Sequence, residues 1–435
     1  MKPPALRPAS PSRPPLAAAL LILGLWLPGA QAQEVPLGAT LDGLLQFARE
    51  HNPELRVERL EAAAAHERIV PAEALPDPMF QLELMDFTNT MSGRAASVLP
   101  GEVGTTRYRV TQGLPFWGKR ALRGELATAE ASREDTRWKS AAATLRGEIR
   151  SAYTRYYQAA GQARILTDTL ALAAALERLA LARYGVGLVP QQDAIQAQSE
   201  ITALKVELVE AARARRKAAA QLNALLPRAV DAPLAEPAGL PPVPAELLAA
   251  DSPLGAVLAR ALADSPDLAR ERAAVTVAER TRAVTYHERY PDFAVGLTNN
   301  RPRSGTDNWD LMLEVNIPLQ QAPRRARERE AEHGLEAAHA RVAAAEARLA
   351  GRIGETLAAV DANRDKARLL RHTLLPQAEA TLAAAHAGYE TGQVNFNTLI
   401  EAERQILRTR LALLDAEVET SLSATELEQL AGASL

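Results

Sequence analysis

Four short stretches of the chain alternate apolar and polar side chains with a period of two. Phe80, Leu82 and Leu84 alternate with Gln81 and Glu83, and Tyr108 and Val110 alternate with Arg107, Arg109 and Thr111. Phe293, Val295 and Leu297 alternate with Ala294, Gly296 and Thr298. Trp309, Leu311, Leu313, Val315 and Ile317 alternate with Asp310, Met312, Glu314 and Asn316. Successive side chains of a strand point to opposite faces, so the spacing predicts strands over about 79–88, 105–114, 292–299 and 309–317, each with one apolar and one largely polar face.

Most of the remainder reads as helix of unusual length. No proline occurs between Pro115 and Pro190, and strong helix formers dominate the interval. Roughly 65 helical residues would reach about 100 Å. A matching run extends from about Arg324 to Tyr389, with Pro376 as an expected kink. Small residues such as Ala141 to Ala143 and Ala343 to Ala345 favour close helix packing, while interspersed charges mark faces that meet water.

The chain repeats itself. Asn52-Pro53-Glu54-Leu55 recurs as Ser265-Pro266-Asp267-Leu268, and Pro76-Asp77 as Pro291-Asp292. Two strands and a long helix follow in each half, ending at Tyr184-Gly185-Val186-Gly187 and Tyr389-Glu390-Thr391-Gly392. The offset stays at roughly 200 to 215 residues, which is the signature of one duplicated unit. The expected organisation is a first repeat over 33–226, a Pro-rich linker over 227–253 and a second repeat over 254–435.

Composition narrows the class. The 435 residues carry a formal charge of −3, with no basic excess to suggest a nucleic-acid partner. Lys2, Arg7 and Arg13, the apolar run from Leu16 to Leu27, and Ala30-Gln31-Ala32 form an export signal over 1–32. The chain has no cysteine, which excludes disulfides, thiolate metal sites, a Cys nucleophile and a lipidated N-terminal Cys. No later apolar run is long enough for a membrane helix, so any membrane span must be made of strands. Four strands cannot close a barrel around a water-filled lumen, and an open edge cannot face lipid. A barrel shared by a homotrimer meets both demands. It has twelve strands, with paired helices forming a matching tube.

These residues resemble the TolC family of outer-membrane efflux channels over nearly the whole chain after the signal. The resemblance rests on the duplication, the two Tyr-x-x-Gly helix tips, Leu75-Pro76-Asp77-Pro78, and the run Gln112-Gly113-Leu114-Pro115-Phe116-Trp117-Gly118-Lys119-Arg120. The wording of the last two is most similar to the heavy-metal, CzcC-like branch. The resemblance implies a mainly α fold with a small β part: a 12-stranded β-barrel in outer-membrane lipid on a periplasmic α-helical barrel. It also implies docking to a periplasmic adaptor that links to an inner-membrane RND-type pump. The loops over 89–105 and 300–308 would then face outside. Tyr184, Val186, Gly187 and Leu188, with Tyr389, Thr391, Gly392 and Gln393, would be the adaptor-docking tips. Acidic residues just beyond the tips would constrict the tunnel and gather cations. Asp193 holds that place in the first half, and Thr398, with Glu401 one turn on, in the second.

Met79, Met85 and Met312 fall on the polar strand faces, where thioethers could contact soft ions in the lumen. Packing at the wall is the plainer role. The seven histidines show no repeated ligand spacing, and no phosphate-binding loop or nucleophile elbow occurs. Nothing in the sequence calls for a cofactor or a catalytic residue. The expected function is a passive exit duct for heavy-metal cations. A duct for drugs or secreted proteins, or a periplasmic coiled-coil scaffold, are the alternatives.

Overall fold

The computed structural model describes residues 37–243 and 254–432. The export signal and part of the linker lie outside the described residues. Helices α1 (Leu41–His51), α2 (Pro53–Glu67) and α3 (Ile69–Glu73) lead to strands β1 (Met79–Met85) and β2 (Thr105–Leu114). Helices α4 (Lys119–Gly185) and α5 (Gln191–Leu225) form a long hairpin. After residues 227–243, which form no helix or strand, come α6 (Leu254–Asp264), α7 (Pro266–His287), β3 (Asp292–Pro302) and β4 (Asn308–Asn316). A second long hairpin follows, built from α8 (Gln321–Leu369), a π-helical turn (Leu370–Leu374), α9 (Leu375–Glu390) and α10 (Phe396–Ala431).

The 67 residues of α4 span about 100 Å at ~1.5 Å per residue. Its counterpart, α8 to α9, is interrupted by the π-helical turn just before Pro376. Proline lacks an amide donor and its ring crowds the preceding turn, and one widened turn accommodates both. Among the described residues, no helix is long and apolar enough to cross a membrane.

The four strands make one antiparallel sheet in the order β1-β2-β3-β4. Its register aligns the alternation across all four. Phe80, Val110 and Leu297 fall in line with Leu311 on one face, while Gln81, Arg109, Thr298 and Asp310 do so on the other. The polar face is cross-linked: Arg107 donates to Glu83 at 3.0 Å and to Asn300 at 2.8 Å, and Asn300 donates to Asp310 at 2.6 Å. The apolar face is bare, with Leu311 77% exposed. β1 stops at Met85, short of 88, because Asp86 turns the backbone to φ 53°. β3 runs past Asn299 to Pro302, since Asn300, Arg301 and Pro302 still pair with Arg107, Thr106 and Thr105.

Strand and helix meet at a tied junction. The buried Lys119 ammonium donates to Asp292 at 2.9 Å and to the Tyr290 carbonyl at 2.7 Å, while the Phe116 amide donates to the same Asp292 oxygen at 2.9 Å. Phe116 stacks on Tyr290 with ring centroids 4.6 Å apart. These contacts join the β2–α4 crossing to the α7–β3 crossing, so the two repeats enter the sheet together.

Candidate functional site

At the end far from the sheet, each hairpin reverses through the same turn. The Leu188 amide donates to the Arg183 carbonyl and the Gly187 amide to the Tyr184 carbonyl, both at 2.9 Å. Gln393 to Gly388 at 2.8 Å and Gly392 to Tyr389 at 3.1 Å repeat the pattern. This is the double closure of a Schellman motif, which needs a left-handed residue, and Gly187 and Gly392 both take φ 75°. Tyr184, Val186, Gly187 and Leu188 are exposed, as are Thr391, Gly392 and Gln393. Tyr389 is not, at 2% exposure.

Tyr389 is buried because it crosses from the second hairpin into the first. Its hydroxyl donates to Asp193 at 3.1 Å, and its ring lies 5.3 Å from that of Phe396. The Arg183 guanidinium sits 5.1 Å from the ring centroid and donates to the Tyr389 carbonyl at 2.8 Å. Burial, then the hydrogen bond to the Asp193 carboxylate, push the Tyr389 hydroxyl up to about 12. It therefore stays protonated and available as a donor at any neutral pH. Leu176, Ala180, Leu399 and Ile400 form the apolar cluster around it.

Two turns further in, Arg404 of α10 grips Glu200 of α5. Its Nε lies 3.1 Å from both carboxylate oxygens, and an Nη reaches one of them at 2.5 Å. Arg404 also reaches Glu401 at 3.3 Å, and Arg408 approaches Glu401 at 3.8 Å. The two expected constriction acids are thus engaged within the chain, Asp193 with Tyr389 and Glu401 with two arginines. Thr398 is exposed, and its amide caps α10 through Asn395 at 3.0 Å.

One residue of this region gave no signal as a site residue. Glu403 is 1% exposed, and neither carboxylate oxygen has a hydrogen-bond partner. Burial, then the nearby Glu200 carboxylate, push it up to about 7 against the opposing pull of Arg404. It is flanked by Ile400 and Leu399 on one side and Ile406 and Leu407 on the other, so its helical position is a core position.

The methionines sit elsewhere. Met79 and Met312 lie in one row across the polar face of the sheet, separated by Thr111 and Gly296, and Met85 lies on the same face opposite Thr105. Among the described residues, no group of three or more His, Cys, Asp or Glu is placed to hold a metal ion.

Known proteins share this fold. The family described as "Outer membrane efflux protein" matches residues 44–227 and 257–433. The chain is similar to the cobalt-zinc-cadmium resistance protein CzcC of Cupriavidus metallidurans, with 25% identity over 404 residues and 90% of each chain covered. Its fold is similar to that of the outer membrane protein VceC from Vibrio cholerae, with a TM-score of 0.75 and 17% identity over 90% of this chain and 96% of that one. CusC gives a TM-score of 0.70 and 17% identity over 91% and 92% of the two chains.

Proposed function

Because the chain belongs to the outer membrane efflux protein family, and is therefore an efflux channel of the outer membrane, we propose that it is the exit duct for heavy-metal cations. The observation that carries the duct is the pairing of a sheet whose two edge strands are unpaired with two hairpins, each with one arm about 100 Å long. A four-stranded sheet with a bare apolar face must complete itself in lipid, and three copies do so as twelve strands. The same threefold arrangement sets six hairpins side by side as a tube continuing the lumen. The cross-linked polar face lines the water, and Met79, Met85 and Met312 lie on it.

The heavy-metal cargo is supported by the similarity to CzcC over most of both chains. The polar face carries the carboxylates of Glu83, Asp310 and Glu314 against the guanidiniums of Arg107 and Arg109, a balance that leans towards cation passage. In this reading the exposed tips, Val186 and Leu188 on one hairpin and Thr391 and Gln393 on the other, dock a periplasmic adaptor. The adaptor connects them to an inner-membrane RND-type pump, which supplies the energy, and the duct itself is passive. Tyr389–Asp193 and Arg404–Glu200 form the latch that holds the tube end narrow.

The test is a strain lacking the gene, plated on cobalt, zinc, cadmium, copper and a panel of lipophilic drugs. Restored metal tolerance without restored drug tolerance supports the cargo. Restoration on drugs alone would leave a duct for organic cargo, and no conductance from purified protein in planar bilayers would remove the duct itself.

A further inference from the structure

The turn Pro115-Phe116-Trp117-Gly118-Lys119 is tied on its inner side by Lys119. On its outer side it borders a groove of about 770 Å³ on the apolar face of the sheet. Leu114, Phe293, Val295 and Leu313 form the wall, and Trp117 stands over it, 78% exposed and 5.8 Å from the Phe293 ring. β2 and β3, the inner strands, supply most of that wall. Pairing of the β1 and β4 edges with neighbouring copies therefore leaves the groove uncovered.

The rim toward the helices carries Arg120, with Arg123 just beyond it, against the carboxylate of Glu73. Gly118, Arg120 and Ala121, at the start of α4, line it. No side chain caps this helix end; the Lys119 amide is taken by the Phe116 carbonyl at 3.0 Å, which leaves the Arg120 and Ala121 amides to meet an anion. The Arg120 Nε donates to the Glu73 carbonyl at 2.7 Å, leaving both Nη groups without an ion pair among the described residues. Arg123, one turn on and outside the groove lining, is exposed. Asp292 is already held by Lys119, which leaves Glu73 as the acid on the rim.

We propose that this groove binds one anionic phospholipid of the leaflet nearest the helices. Its acyl chain runs along Leu114, Phe293, Val295 and Leu313, and its phosphate sits at the open start of α4 beside Arg120. The site rests on the reading that the apolar sheet face meets lipid. An apolar wall ending in an indole, an uncapped helix terminus and the Arg120 guanidinium matches a phosphodiester attached to a hydrocarbon chain, and it matches neither part alone.

Tryptophan quenching tests it. The full chain carrying Trp26→Phe, Trp138→Phe and Trp309→Phe keeps Trp117 as its only indole, and the converse variant keeps only Trp309, which is on the same face. Both are reconstituted in phosphatidylcholine vesicles containing the same small fraction of either acyl-brominated phosphatidylglycerol or acyl-brominated phosphatidylcholine. The proposal expects brominated phosphatidylglycerol to be favoured roughly fivefold at Trp117, the scale of one basic group near an anionic lipid. Arg120→Gln with Arg123→Gln should abolish the preference. Trp309 should be quenched equally by both lipids. Equal quenching at Trp117 would overturn the headgroup site while leaving the lipid-facing wall. Quenching at Trp309 without any at Trp117 would mean that protein fills the groove. If neither indole were quenched, the outward orientation of the face would itself be wrong.

Discussion

The two hairpin tips have the same backbone and opposite surfaces. Each closes by the same two hydrogen bonds around a glycine at φ 75°. Yet Tyr184 is 43% exposed, while its repeat counterpart Tyr389 is buried against the first hairpin. Counting on from the two tyrosines, Asp193 corresponds to Thr398, Glu200 to Gln405, and Arg404 to Ser199. The contacts inside one chain are therefore charge-assisted, whereas the repeat-related positions hold neutral side chains. In the proposed trimer those neutral positions lie on the seam between copies. Duplication thus kept the turn, and divergence placed the charged contacts on the seam inside the chain.

The largest test of this asymmetry is Arg404→Ala, which strands the buried Glu200 carboxylate. Losing one partner of such a pair costs about 1–3 kcal/mol once the exposure of Arg404 is allowed for. Planar-bilayer recordings should show the open population rise by about tenfold, while Ser199→Ala should leave it unchanged. Equal effects of the two substitutions would erase the distinction between seams.

Tyr389→Phe comes next. It removes the hydroxyl donor to Asp193 and should cost about 1 kcal/mol in thermal unfolding, against nearly nothing for Tyr184→Phe. A larger loss from Tyr184→Phe would show that the exposed tyrosine has a partner of its own.

Glu403, buried in the second hairpin, makes stability depend on pH. Its folded value of about 7 lies above the ordinary 4.5. Below about pH 4.5 both folded and unfolded chains hold the proton, so the site adds no pH dependence. Between there and about pH 7 the unfolded chain gives up its proton first, so rising pH destabilises the fold. Glu403→Gln should remove that slope and raise the Tm at pH 8 by roughly 2–4 °C. An unchanged slope would place the titration elsewhere.

The smallest effect on the fold is expected from Val186→Ser with Leu188→Ser. Both side chains are exposed, so stability should move by less than about 0.5 kcal/mol while adaptor co-purification falls. Retained co-purification would move the docking surface off this tip.

The strands and long helices were legible because their periods are written in local side-chain order. Strand ends were not, since Asn300, Arg301 and Pro302 extend β3 by pairing with β2 and carry no alternation of their own. The Asp193–Tyr389 contact spans 196 residues and depends on how the hairpins dock, which no local pattern encodes. The burial of Glu403 was more accessible. It lies at core spacing among Leu399, Ile400, Ile406 and Leu407, yet the abundance of charge on these helices hides one inward carboxyl.

The π-helical turn before Pro376 has a mechanical meaning. α4 is an unbroken stave, whereas its counterpart is jointed at Leu370–Leu374, about 24 Å from the tip along the 16 residues of α9. A widened turn has weaker axial hydrogen bonding than the coil on either side and bends first under load. The return arm α10 has no such joint, and its Glu417 holds Arg371 within the widened turn. In the proposed tube, the α8–α9 arm of each copy therefore yields at a point where α4 offers none, and it does so against an unbroken α10.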